Sequence, residues 1–294
     1  MKKTIFTGSG VAIVTPYCGE GINFPVLAQL IDFQIDNGTD AIIICGTTGE
    51  ASTMSDEEHV EAIRFAVKHT AGRVPVVAGT GSNDTAYCLL LSQEAKAVGA
   101  DALLLVTPYY NKTTQSGLIQ HFFYIADRVD LPIILYNVPS RTGMSIKPST
   151  YLELSKHKNI VATKEACGNI SEIIETVALC GGELTLYSGN DDQIVPLMSL
   201  GGKGVISVLA NIVPKEVHDI CAMYLNGNIG ESLKMQLKLL KLTNNLFTEV
   251  NPIPVKTALT LMRYDVGPLR MPLFPMEGEN LLKLKDSMEE LGLI

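Results

Sequence analysis

The stretch NIVATKEACGN, Asn159–Asn169, decides the fold, because a β-branched apolar run is followed at once by a lysine and a glutamate. Ile160-Val161-Ala162-Thr163 shows no apolar/polar alternation, so it reads as a strand covered on both faces, as in a parallel sheet. An ammonium group is costly to keep charged in such surroundings. Lys164 therefore either snorkels at the rim of the sheet or serves a purpose there.

Working outward, seven more short apolar runs end in turn or polar residues: GVAIVTPY from Gly10, AIIICGTTGE from Ala41, VPVVAGTGS from Val74, ADALLLVTPYYN from Ala100, LPIILYNVP from Leu131, LTLYSGND from Leu184 and GVISVLAN from Gly204. Their starts lie roughly 20 to 35 residues apart, enough for a crossover helix between parallel strands. The segments between them read as helices: FPVLAQLIDFQIDNG places Val26, Leu27, Leu30, Ile31 and Phe33 on one side and stops at Gly38, and SDEEHVEAIRFAVKHTAG opens on Ser55 with acids behind it. Eight strand–helix units predict a closed (β/α)8 TIM barrel. An open doubly wound sheet would carry a Gly-rich turn after its first strand, and TPYCGEG is not one. Beyond Leu209 the pattern is helical with proline breakers, which predicts a barrel domain over residues 1–225 and a C-terminal α-helical appendage over 226–294.

Composition narrows the function. The chain has 294 residues, a formal charge of −8 and no cluster of Lys or Arg, which argues against nucleic acid or an anionic membrane as partner and for a small-molecule ligand. Six scattered cysteines without a C-x-x-C pair fit reduced thiols and a cytoplasmic location. The opening MKKTIF is not followed by a signal-peptide core, since Gly8-Ser9-Gly10 interrupts it, and no apolar run approaches the ~18 residues of a membrane span. The histidines show no metal-ligand spacing, so neither metal nor other cofactor is expected. Gly201, Gly202 and Gly204 precede the eighth run and belong to the face opposite the strand ends, away from any phosphate site there.

In a barrel of this kind chemistry collects where strands end. Those ends carry Thr15, Thr47-Thr48-Gly49-Glu50, Tyr109-Tyr110, Tyr136-Asn137, Lys164-Glu165 and Ser188-Gly189-Asn190-Asp191: many hydroxyls, one lysine and no histidine. Burial favours the neutral amine, so the pKa of Lys164 is expected to fall from about 10.4 toward the working pH. A neutral amine attacks a ketone, and the resulting Schiff base and enamine point to aldol chemistry without a metal.

Taken in order, GTTGE, TPYYNK, YNVPSRTG and KEACGN resemble the dihydrodipicolinate synthase family of the pyruvate-dependent aldolase superfamily, and the likeness runs from about Gly8 through the helical tail. The resemblance implies condensation of pyruvate with aspartate semialdehyde. It makes Lys164 the Schiff-base lysine, Tyr136 the proton-transferring phenol, and Thr47 the hydroxyl linking that phenol to Tyr110, which in the family reaches across a subunit interface. By the same resemblance Thr48 holds the pyruvate carboxylate, Arg141 grips the carboxylate of the semialdehyde, and Ile206 places its backbone carbonyl near the substrate. It also implies a homo-oligomer, a tetramer by family pattern. Sialic acid lyases and keto-deoxy acid aldolases share the lysine and the Y-N-x-P strand end, so these two features do not settle the substrate; sialic acid lyases resemble G-S-T-G-E at the second strand and lack the arginine, and Thr47 and Arg141 both favour the synthase. For feedback by lysine, His59, Asn83 and Tyr109 match the family's effector cleft, while Tyr87 replaces a glutamate and Asp56 a histidine, so weak or absent inhibition is expected. Glu50 and Glu165 are expected to be structural partners.

Overall fold

A computed structural model describes residues 2–19 and 21–294. Eight parallel strands close on themselves: β1 (Gly8–Ala12), β2 (Ala41–Ile44), β3 (Val76–Gly79), β4 (Ala102–Val106), β5 (Ile133–Asn137), β6 (Ile160–Glu165), β7 (Thr185–Ser188) and β8 (Gly204–Ser207), with β1 paired to both β2 and β8. The predicted barrel is the observed one. Two-residue strands Tyr17–Cys18 and Gly21–Ile22 pair antiparallel just after β1.

Each strand is buried on both sides because it separates two cores. Ile42 and Ile44 face the surrounding helices, whereas Ile43 faces the barrel axis with Ala12, Val77, Leu104, Ile134, Tyr136, Ala162 and Ile206. This double burial erases the apolar/polar alternation from the sequence. The far end of the axis is closed by Phe6, whose ring stacks on Tyr187 at 4.4 Å between centroids, while Tyr187 Oη donates to the Phe6 carbonyl at 2.6 Å.

The outer layer follows in order: α1 (Phe24–Asp36), α2 (Asp56–Thr70), α3 (Thr85–Ala97), α4 (Gln115–Ala126), a single turn at Pro139–Thr142, α5 (Pro148–Leu154), α6 (Ile170–Cys180), α7 (Ile194–Ser199) and α8 (Pro214–Leu225). Asn23, Ser55, Asp84, Thr114 and Asn169 cap five of these starts by accepting from first-turn amides. At α2 the cap is reciprocal, Ser55 with Glu58.

Three further helices complete the chain: α9 (Ile229–Asn245), α10 (Ile253–Leu261) and α11 (Gly278–Glu290). They are tied to the barrel by polar groups. Gln236 of α9 donates to the Asp192 carbonyl and accepts from the Val195 amide, both at 2.8 Å. Lys256 of α10 reaches Glu50 at 2.9 Å and the Pro268 carbonyl at 2.7 Å. Arg270 forks onto both oxygens of Glu58 at 2.5 and 2.6 Å and lies 4.0 Å over the ring of Tyr17. No helix among the described residues is long and apolar enough to cross a membrane.

Candidate active site

The register of β5 against β6 sets Tyr136 beside Lys164, both turned into the axis near the strands' C-terminal ends. Lys164 is 5 % exposed, and its ammonium lies 4.3 Å from the centroid of the Tyr136 ring. Desolvation pulls the Lys164 pKa down to about 8, with Arg141 pushing the same way and Asp191 opposing. At pH 7 roughly a tenth of such amines are neutral, against fewer than about one in a thousand for a free lysine. Burial pushes the Tyr136 phenol up to about 12 while Arg141 pulls it back, so at neutral pH the phenol holds its proton and can donate it.

Lys164 has the room it needs because residue 189 is glycine. A Cβ there would stand 3.1 Å from Lys164 Cγ and 2.8 Å from Ala166 Cβ, closer than side chains pack. Asp191, two residues on, is 2 % exposed; its Oδ2 accepts from the amides of Val208 and Leu209 at 3.0 and 2.9 Å, and burial raises its pKa.

The turn after β2 is bracketed by left-handed backbone at Cys45 (φ 56°) and Glu50 (φ 57°), sparsely populated geometry for residues other than glycine. Between them Thr47 is exposed, whereas Thr48 is 2 % exposed and accepts at Oγ1 from Asn251 Nδ2 at 2.9 Å. Arg141, on the turn after β5, donates to the backbone carbonyl of the same Asn251 at 3.1 Å. Ile206 is fully buried on β8, opposite Gly10 of β1.

Within one chain Lys164, Tyr136, Arg141 and Asp191 share one electrostatic neighbourhood, and Asn251 joins Thr48 to Arg141. Tyr110 stands apart: it is 91 % exposed on a loop with left-handed backbone at Tyr110 and Lys112 (φ 67° and 56°). Of the effector candidates, His59 feels the charge of Asp56, and Asp56 and Tyr109 both act on Tyr87. His59 is buried with Nε2 2.8 Å from the Gly79 carbonyl; Asn83 lines a surface cleft of about 580 Å³ with Asn111, Lys112 and His121, and His59 and Tyr109 do not line it. Tyr87 donates to Asp56 Oδ1 at 2.6 Å.

Glu50 and Glu165 are held as structural partners. Glu165 accepts from Tyr151 Oη at 2.5 Å and from Asn137 Nδ2 at 3.0 and 3.2 Å, and Glu50 takes Lys256 and the Arg270 amide. Sequence reasoning placed Asp191 and Gly189 at a strand end without assigning them a part. It missed Asn251 altogether, since NPIP at residues 251–254 reads only as a helix start with proline breakers.

The sequence profile of the dihydrodipicolinate synthetase family matches residues 5–291. A 4-hydroxy-tetrahydrodipicolinate synthase of Lachnoclostridium phytofermentans is 59 % identical over 292 residues, covering 99 % of each chain. Among solved structures, dihydrodipicolinate synthase from Aquifex aeolicus is 45 % identical with a TM-score of 0.96, covering 98 % of this chain and 99 % of its own. Another, described as a monomeric dihydrodipicolinate synthase variant, is 41 % identical with a TM-score of 0.96, covering 99 % of this chain and 98 % of its own.

Proposed function

The chain belongs to the dihydrodipicolinate synthetase family, and on that premise we propose that it is a 4-hydroxy-tetrahydrodipicolinate synthase, condensing pyruvate with L-aspartate 4-semialdehyde on the way to diaminopimelate and lysine. One observation carries the reading: a desolvated lysine amine, its pKa near 8, set against a protonated tyrosine at the mouth of the barrel.

In this reading neutral Lys164 attacks the keto carbon of pyruvate, Tyr136 supplies the proton that lets hydroxide leave as water, and an imine forms. Loss of a methyl proton from that imine gives an enamine, whose carbon attacks the aldehyde of the second substrate. The amine of that substrate then adds to the imine carbon, closing the ring and freeing Lys164. Thr48 and Arg141 hold the carboxylates of the first and second substrates, Arg141 through its planar fork, and Ile206 offers its carbonyl. Thr47 and Tyr110 relay the Tyr136 proton, with Tyr110 of each subunit completing its neighbour's site in a homotetramer. The exposure of Tyr110 supports that assignment. No cofactor takes part, and the enzyme works in the cytoplasm. Lysine inhibits weakly or not at all, because Tyr87 takes the place of a cation-holding glutamate and is itself bonded to Asp56.

Borohydride reduction in the presence of pyruvate, followed by peptide mapping, tests the proposal: a pyruvate-derived adduct is expected on Lys164 alone. A coupled assay offering aspartate semialdehyde, sialic acid and keto-deoxy acids in separate arms then distinguishes the synthase from a sugar-acid aldolase. Turnover of either sugar acid in preference to the semialdehyde would overturn the substrate assignment.

A further inference from the structure

We infer that Asn251 is a positioning residue that fixes the direction of the Thr48 hydroxyl and seats Arg141, so that the appended helices, and not the barrel alone, set the geometry for both substrate carboxylates. The inference rests on the parts proposed above for Thr48 and Arg141.

Asn251 is 6 % exposed and lies immediately before α10, where Pro252 and Pro254 stiffen the backbone. Its side-chain N–H donates to Thr48 Oγ1 at 2.9 Å, which uses that hydroxyl as an acceptor and not as a donor. A hydroxyl carries a single proton, so Thr48 keeps its O–H free to donate to an incoming anion. The Asn251 backbone carbonyl meanwhile accepts from Arg141 Nη2 at 3.1 Å. The side chain therefore acts on one carboxylate holder and the main chain on the other.

A purely structural asparagine would satisfy both halves of its amide. Here Oδ1 is buried without a hydrogen-bond partner among the described residues, an arrangement that is destabilising. That gap is tolerated with the donor half committed to Thr48, a residue 203 positions away in the sequence.

The division between side chain and main chain gives a specific test. Asn251→Asp keeps the shape and reverses the polarity, so Thr48 must donate to the new carboxylate, which also repels an anionic ligand. In the full-length enzyme the pyruvate concentration giving half-maximal borohydride trapping on Lys164 should rise at least about tenfold, with KM for pyruvate following. KM for aspartate semialdehyde should change less than about threefold, since the carbonyl that seats Arg141 remains. Asn251→Ala, which only deletes the donor, should raise the pyruvate requirement less and serves if the aspartate variant does not fold. The Thr48→Val, Asn251→Ala double variant should be no worse for pyruvate than Thr48→Val alone. An unchanged pyruvate dependence in both single variants, equal rises in the two KM values, or additive penalties in the double variant would each overturn the inference. Absence of an adduct in the wild-type enzyme would instead overturn the function proposed above.

Discussion

Lys164 and Lys256 are built alike up to their last atom. Each is buried, each carries its ammonium over a tyrosine ring, at 4.3 Å for Tyr136 and 4.8 Å for Tyr17, and for each desolvation draws the pKa down. They differ in what answers the charge. Lys256 has a carboxylate at 2.9 Å and a carbonyl at 2.7 Å, so its proton is held in place by direct bonds. Lys164 has no hydrogen bond or ion pair among the described residues, and the buried Asp191 acts on it only through the field. A satisfied buried lysine is scaffold, locking α10 to the turn after β2. The unsatisfied one is the nucleophile of the proposed reaction, and keeping a buried amine without a bonded partner costs stability.

Replacing each lysine with methionine probes the contrast most sharply. Lys164→Met should lower turnover by at least about 10³-fold and abolish the borohydride adduct, because the proposed imine forms on that amine. The same variant should melt higher at pH 7, by an amount on the order of 2 kcal/mol, since a depressed folded-state pKa means the charged lysine destabilises the native state. The sign fixes the pH course. Between about 8 and the unfolded value near 10.4 the unfolded chain binds more protons, so wild-type stability climbs with pH and the advantage of the methionine variant fades. Calorimetry at pH 7 and 10 checks this.

Lys256→Met should do the reverse, costing about 3–5 kcal/mol because it strands the buried Glu50 without its partner. A variant that melted like the wild type would erase the distinction drawn here. A smaller effect separates the two lysines by titration: the observed rate of pyruvate-adduct formation should rise about tenfold per pH unit below about 8 and level off above it, tracking Lys164. Tyr110→Phe is the gentlest change, expected to shift stability by less than about 0.5 kcal/mol at a site 91 % exposed while reducing turnover measurably.

The two lysines also show what could be read from the sequence. Lys164 announced itself because a charged residue interrupts a run such as IVAT, and the eight runs at crossover spacing placed it at a barrel rim. Lys256 was invisible as a buried group. It sits in an ordinary amphipathic helix, and its burial depends on Glu50, 206 residues earlier. Asn251 and Gly189 escaped for the same reason: periodicity states which face a residue turns to the core but not which side chain it meets across the fold. Tyr110 stood at a strand end in the sequence, but its part came from the family likeness alone, since no hydrogen bond reaches its side chain among the described residues.

Phe6 and Tyr187 stopper the barrel below Lys164, with Tyr187 next to it in register on the neighbouring strand. In the function proposed above, the keto acid binds over this floor, beside Lys164, and the second substrate above it. A leak in that floor would be felt as hydration. Phe6→Ala should let bulk solvent seep up to the amine and restore its basicity, moving the rising limb of the pH profile to higher pH without touching any group that handles substrate.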